Sequence, residues 1–252
     1  MNNKLLYRDK DWLYQKYITE ELTTTEICKL QNVVPSTVSR WIHINKIPIR
    51  TASKSRNLRY GNRFTVTKEF KEWIDGELLG DGSIGSRSEF TGYIQYGSKY
   101  IEYIDYIAES LKRFGIEQSG YILKREPSPG IYSYQYRSKE YNELKDFYNR
   151  WYPDGKKIVP RDLELTPITL RQWYLGDGCL YIPKTKRRRF ITLAAYSFTN
   201  DDVYFLIKLF REIGIVATKP KSNRIHISTK SVDKFLDYIG ECPVYCYQYK
   251  WG

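Results

Sequence analysis

The sequence predicts an α+β protein in which a helix-strand-strand-helix-strand-strand-helix unit occurs twice, after a small all-α segment at the N-terminus. Three observations carry this. Leu79-Gly80-Asp81-Gly82 returns as Leu175-Gly176-Asp177-Gly178, each time at the end of a helical pattern. The phrases Arg113-Phe114-Gly115-Ile116 and Glu212-Ile213-Gly214-Ile215 each follow an amphipathic helix and precede a strand. The offset between Gly115 and Gly214 is within a few residues of that between Asp81 and Asp177, so the two halves keep step.

In chain order, residues 1–50 read as short helices. Leu22 to Leu30, a turn at Gln31-Asn32-Val33, and Val34 to Trp41 place Ile27, Leu30, Val33, Val38 and Trp41 as a small core. The pattern resembles a bacterial or phage helix-turn-helix, whose second helix presents its first residues to bases in the major groove. By that resemblance Ser36, Thr37, Ser39 and Arg40 face DNA. The other reading is a helical bundle for protein contact. Residues 51–66, with Lys54, Arg56, Arg59 and Arg63 among small polar residues, read as a basic linker, either a solvated tether or a strand laid along phosphates.

The repeated part then divides at 67–160 and 161–252. In the first half Phe70, Ile74 and Leu78 mark one face of a helix running into Asp81. Strands follow near 93–96, 120–125 and 131–137, with helices over 100–114 and 139–151. In the second half Thr166 and Pro167 are an N-cap and a first-turn proline. Strands near 180–182, 190–196, 216–219 and 224–228 alternate with helices over 201–213 and 231–239. Gly82 and Gly178 read as left-handed helix caps.

Two features of the motif helices are costly. Gly76 and Gly80 lie four apart inside a helix, each about 1 kcal/mol worse than Ala, which is recovered if another helix packs there at backbone distance. Gly80 against Gly176 is the natural contact. Asp81 and Asp177 sit at the negative ends of helix dipoles, unfavourable by about 0.3–1 kcal/mol each, and side by side they also repel. A hard divalent cation held by carboxylate and carbonyl oxygens resolves this, and Mg²⁺ suits a site that also receives phosphate. Two unrelated Asp-Gly turns are the plain alternative.

Ile74 to Gly82 and Leu170 to Gly178 resemble the motif of the LAGLIDADG homing endonucleases in their single-chain, two-motif form. Leu165-Thr166-Pro167 leading to Trp173 is similar to that family's second motif, and the resemblance covers most of the chain after about residue 65. Gln172 and Arg171 stand where the second motif has its interface glycine and a small neighbour. The resemblance implies two pseudo-symmetric αββαββα repeats forming a DNA-binding saddle. It implies metal held by Asp81 and Asp177 with the carbonyls of Gly80 and Gly176, and Lys157 and Lys250 as catalytic lysines. Lys139 and Lys230 are the reserve pair. Its strand faces would carry Arg87, Tyr93, Gln95, Lys124 and Arg125 in one half. In the other they would carry Lys184, Lys186, Arg187, Arg188, Arg189, Lys219, Lys221, Arg224 and His226.

The net charge of +12 over 252 residues, with 41% hydrophobic content, fits a protein with a core and a polyanionic partner. Met1 to Gln15 lacks a signal-peptide core, and no run approaches the about 18 apolar residues of a spanning helix. Cys28, Cys179, Cys242 and Cys246 read as reduced thiols without a zinc ligand set. The expectation is a monomeric, site-specific double-strand DNA endonuclease in a bacterial or phage-infected cytoplasm or an organellar matrix. It would use Mg²⁺ or Mn²⁺, with Ca²⁺ supporting binding without cleavage, take a long duplex target, and leave short 3′ overhangs. The alternatives are an intron-splicing maturase, a DNA-binding regulator that retains the fold, or a nuclease drifted to nonspecific nicking.

Overall fold

The computed structural model describes residues 5–183, 188–219 and 224–252. It comprises two compact units, Met1–Gly61 and Asn62–Gly252.

In the first unit, helix α1 (Lys10–Tyr14) runs into a π turn, Gln15–Thr19, and is followed by α2 (Thr24–Gln31), α3 (Pro35–Ile44) and α4 (Ala52–Tyr60). Thr23 and Glu26 form a reciprocal capping box at the start of α2, and Pro35 opens α3 where its missing N–H costs nothing. Asn32 takes a left-handed conformation between the two helices, the turn that a helix-turn-helix requires. The core is Leu13, Tyr17, Ile27, Cys28, Val38, Ile42 and Ile47, with Val33 and Trp41 half-buried against it. Leu30 is not in it: it is exposed, because the inward face of α2 is set by Ile27 and Cys28. Residues 51–66, expected as a linker, hold α4, capped by Thr51 and too polar to show an apolar period.

The second unit holds α5 (Lys68–Leu79), β1 (Ser83–Gly85), β2 (Tyr93–Ser98), α6 (Ile101–Arg113), β3 (Leu123–Ser128), β4 (Ile131–Arg137) and α7 (Glu143–Trp151). The second repeat follows as α8 (Pro167–Asp177), β5 (Gly178–Tyr181), β6 (Phe190–Ala194), α9 (Asn200–Glu212), β7 (Ala217–Thr218), β8 (Arg224–Ile227) and α10 (Val232–Ile239). Each repeat forms one antiparallel sheet, ordered β1-β2-β4-β3 and β5-β6-β8-β7. The predicted double αββαββα architecture is therefore present. One continuous core runs through both repeats, from Phe70, Ile74 and Leu78 to Trp173, Phe210 and Phe235.

Two boundaries and the conformation of two glycines depart most from expectation. α7 begins at Glu143 because Tyr141 is spent on backbone bridges to Asn62 and Gly92. The third strand of the first repeat is Leu123–Ser128 rather than 120–125. Gly82 and Gly178 are not left-handed caps, since neither has positive φ. They are glycines for lack of room: a Cβ on Gly82 would stand 2.8 Å from the Glu77 carbonyl oxygen, and one on Gly178 would overlap the Tyr174 ring.

Candidate active site

α5 and α8 pack against each other along their lengths. Thr67 and Thr166 cap them, accepting from the Phe70 and Thr169 amides. At their C-terminal ends Gly80 and Gly176 meet as the sequence suggests: a Cβ on Gly80 would lie 3.5 Å from the Gly176 Cα, and one on Gly176 only 2.9 Å from the Asp81 nitrogen. One turn earlier Gly76 leaves space for Gln172. A Cβ there would lie 2.8 Å from the Gln172 Cβ and 2.3 Å from the Thr169 carbonyl oxygen.

This contact places Asp81 and Asp177 at one point, with Lys157 and Lys250 beside them. Burial pushes the Asp177 carboxyl up to about 6, Asp81 adds repulsion, and Lys157 and Lys250 offset part of it. Burial likewise raises Asp81, offset by Lys250 and then Lys157. Lys157 is pushed down to about 8 by burial, against the pull of Asp177 and then Asp81. Lys250 is lowered by burial, against Asp81 and then Asp177. Each lysine thus feels both carboxylates, one from each repeat, so the four charges form a single cluster across the repeat boundary.

The lysines are fixed differently. Lys250 is buried, and its Nζ donates to the carbonyls of Leu175 (2.5 Å) and Gly176 (3.1 Å), while Tyr174 Oη donates to the Lys250 carbonyl at 2.5 Å. Lys157 makes a longer contact, 3.5 Å, with the Gly82 carbonyl. The Gly176 carbonyl, expected as a metal ligand, is therefore occupied by an ammonium. Lys139 and Lys230 are exposed, and Lys139 pairs with Glu117. Among the described residues no cluster of three or more His, Cys, Asp or Glu could hold a metal. A cation here would rest on two carboxylates, with carbonyl, water or substrate oxygens completing its shell.

Behind the acids lies a buried polar cluster that sequence reading did not find. Glu77 accepts from Tyr103 Oη at 3.1 Å. The Gln172 amide, oriented to satisfy both its atoms, donates to Glu77 at 3.0 Å and accepts from Trp73 Nε1 at 3.2 Å. Burial raises the Glu77 carboxyl to about 8, although the Tyr103 and Tyr96 hydroxyls pull it down. On the opposite side Asp75 is buried in a two-toothed ion pair with Arg150, and accepts from Trp151 Nε1 at 2.9 Å.

The first sheet presents a concavity of about 550 Å³ that begins at Asp81 and is lined by Ser83, Arg87, Gln95, Arg125, Gln135 and Arg137. The register explains the set: Ser83, Gln95 and Arg137 form one cross-strand row, and Leu123 and Gln135 another. Arg137 was missed, although alternation from Gln135 would have found it. Lys124 was misplaced. It pairs with Tyr134, one residue out of step with Arg125, so it belongs to the opposite face, where its Nζ sits 3.8 Å from the Tyr132 ring. Tyr93 does not present its ring either. It is buried beneath the Arg87 and Arg137 guanidiniums, the latter 3.8 Å from its ring centre.

On the second sheet His226 packs at a tilt against Phe190, Arg224 bonds the Tyr196 hydroxyl, and Arg189 pairs with Asp233. Arg188 is exposed, and Lys219 lies half-buried near the Tyr204 ring. Lys184, Lys186, Arg187 and Lys221 lie outside the described residues. In the first unit Ser36 and Arg40 are exposed at the start and middle of α3, while Thr37 and Ser39 are half-buried.

A sequence model of the LAGLIDADG DNA endonuclease family matches residues 71–235. The chain is 29% identical over 255 residues to the uncharacterized protein MJ1098 of Methanocaldococcus jannaschii, covering 95% of this chain and 97% of that one. It is 25% identical over 187 residues to the cytochrome b mRNA maturase bI2 of Debaryomyces hansenii, covering 67% of this chain and 65% of the maturase. The solved structure of the homing endonuclease I-WcaI bound to its DNA recognition sequence has the same fold, with a TM-score of 0.62 at 20% identity over 81% of this chain and 93% of that one.

Proposed function

We propose, because this chain belongs to the LAGLIDADG DNA endonuclease family, that it is a monomeric, site-specific endonuclease hydrolysing both strands of duplex DNA at the Asp81–Asp177 pair. The observation that carries the reading is the meeting of the two motif ends, where Gly80 and Gly176 bring both acids and both lysines together. Two crowded carboxylates and two partly desolvated lysines stand at the head of a basic sheet face. A structural pair of Asp-Gly turns has no use for charges held this close at a cost.

The carboxylates fit a hard divalent cation, since burial raises both, the Asp81 charge adds to the rise of Asp177, and neither is claimed by a guanidinium among the described residues. Asp81 and Asp177 would hold it. When bound, such an ion supplies positive charge to the phosphate and the leaving oxygen. Lys250, pinned by carbonyls, holds positive charge over the scissile phosphate. Lys157, loosely held and titrating near 8, exchanges a proton with solvent water near neutral pH. The first unit, with Ser36 and Arg40 outward on α3, adds major-groove contacts to the target.

The test is incubation with Mg²⁺ and a duplex made by joining the two flanks of the gene's own insertion site, followed by end mapping. Breaks at the junction, absent in Asp81→Asn while binding persists, support the reading. Cutting by Asp81→Asn at the wild-type rate removes Asp81 from it. The second reading, an intron-splicing maturase, is favoured by the maturase relative. Tight binding to folded intron RNA with no breaks in duplex DNA would select it.

A further inference from the structure

The two sheets leave the acid pair in the same way, yet among the described residues their outer faces differ in chemistry. β5 starts at Gly178, directly after Asp177, and β1 at Ser83, two residues after Asp81, so a duplex held at the acids is carried over both faces. On the first, Arg87, Arg125 and Arg137 accompany Gln95 and Gln135. On the second, the register puts Cys179, Thr192 and His226 in one row, Tyr181 and Phe190 in the next, and Ala194 opposite Arg224.

The rings of Tyr181, Phe190 and His226 form a ladder, with centroids 4.8 and 4.7 Å apart, and Tyr181 is exposed. The inward residues of the same strands, Ile191, Leu193, Ile225 and Ile227, are fully buried, so the ladder is not core turned outward. Arg224, at the start of β8, is engaged by the Tyr196 hydroxyl and Arg189 by Asp233, as Arg137 is by Glu140 on the first sheet, which leaves Arg87 and Arg125 as that sheet's contrast.

We infer that the protein reads a chemically divided target: guanines over the first sheet and thymine methyls over the second. This rests on the proposed DNA-cleaving function and adds the base preference of each half. Guanidinium groups pair in two-toothed fashion with the O6 and N7 acceptors of guanine. Aromatic, alanine and threonine side chains instead meet the C5-methyl group that only thymine carries in the major groove. The ladder presents such apolar surface, exposed at Tyr181 and half-buried at Phe190 and His226, and the bases it meets would desolvate it.

The experiment is selection of duplexes by the full-length protein from a randomised library in Ca²⁺, followed by repetition with Arg125→Ala and Tyr181→Ala. Two half-sites should emerge, one guanine-rich and one thymine-rich. Arg125→Ala should relax the first half alone, and Tyr181→Ala the second alone. Replacing thymidine by deoxyuridine, which deletes only the methyl, should weaken binding about fourfold per contacted base in the second half. In the half sensitive to Arg125→Ala it should change nothing.

Guanine enrichment over both halves, or equal deoxyuridine effects in both, would overturn the divided readout and leave the endonuclease reading standing. Failure to enrich any duplex would overturn both.

Discussion

Gly176 and Asp81 touch across the boundary between the repeats. A methyl group on Gly176 would stand 2.9 Å from the Asp81 amide nitrogen and 3.5 Å from its carboxyl carbon. Gly176→Ala should therefore displace a catalytic acid, lowering the cleavage rate by about 10²-fold. Gly80→Ala meets its nearest neighbour at 3.5 Å, an ordinary contact, and should cost less than about tenfold. Single-turnover cleavage of the two variants distinguishes contact geometry from the loss of any glycine.

The pair of carboxylates makes the metal-free protein sensitive to pH. Asp177 titrates near 6 in the fold against 3.8 as a free side chain. Between those values the native state keeps a proton that the unfolded chain has lost, so stability falls as pH rises through that window. Asp177→Asn should equal the wild type below pH 4. Above pH 6, in chelator, it should be more stable by about 1–2 kcal/mol, the screened worth of the shift. Urea midpoints across pH read this directly, and Mg²⁺ should narrow the gap by stabilising the wild type alone.

Glu77 extends the same logic into the core. Its folded value near 8 against 4.5 makes it a neutral acid at pH 7, hydrogen-bonded within the Tyr103 and Gln172 cluster. Glu77→Gln keeps the shape and removes the ionisation. The advantage of the variant should be absent near pH 4, grow through pH 5–8 and level off above 8, at about a few kcal/mol. A flat difference across pH would mean that Glu77 ionises in the fold as it does in the unfolded chain.

Arg40 lies outward on α3. Arg40→Ala should weaken binding to the native target and lower the slope of log affinity against log salt by about one. Cleavage of the bound complex should not change, since the acids belong to the other compact unit.

How much of this was legible in the sequence depended on whether a residue's role is local. The cap at Thr166, the glycine contact at Gly80 and the two acids are written in short spacings, and the lysines followed from the family resemblance. Glu77 was overlooked because a glutamate inside a helix looks like a surface residue until Tyr103 of α6 and Gln172 of α8 converge on it from two other segments. Lys124 was placed beside Arg125 although a strand cannot show consecutive side chains on one face. α4 escaped because its polar composition carries no period. The glycines at Gly82 and Gly178 were correctly singled out for the wrong reason: crowding by Glu77 and Tyr174, not backbone handedness, excludes a side chain there.

The groove at Gly76 and the side chain at Gln172 give the two repeats unlike mating surfaces. A first repeat set against its own copy would face glycine with glycine and leave a gap, and a second repeat against its copy would drive two glutamines into one space. Neither half is self-complementary. Severed between Pro153 and Arg161 and produced as separate chains, they should ignore their own kind and recombine one-to-one, a heterodimer whose partner choice is encoded in a single missing side chain.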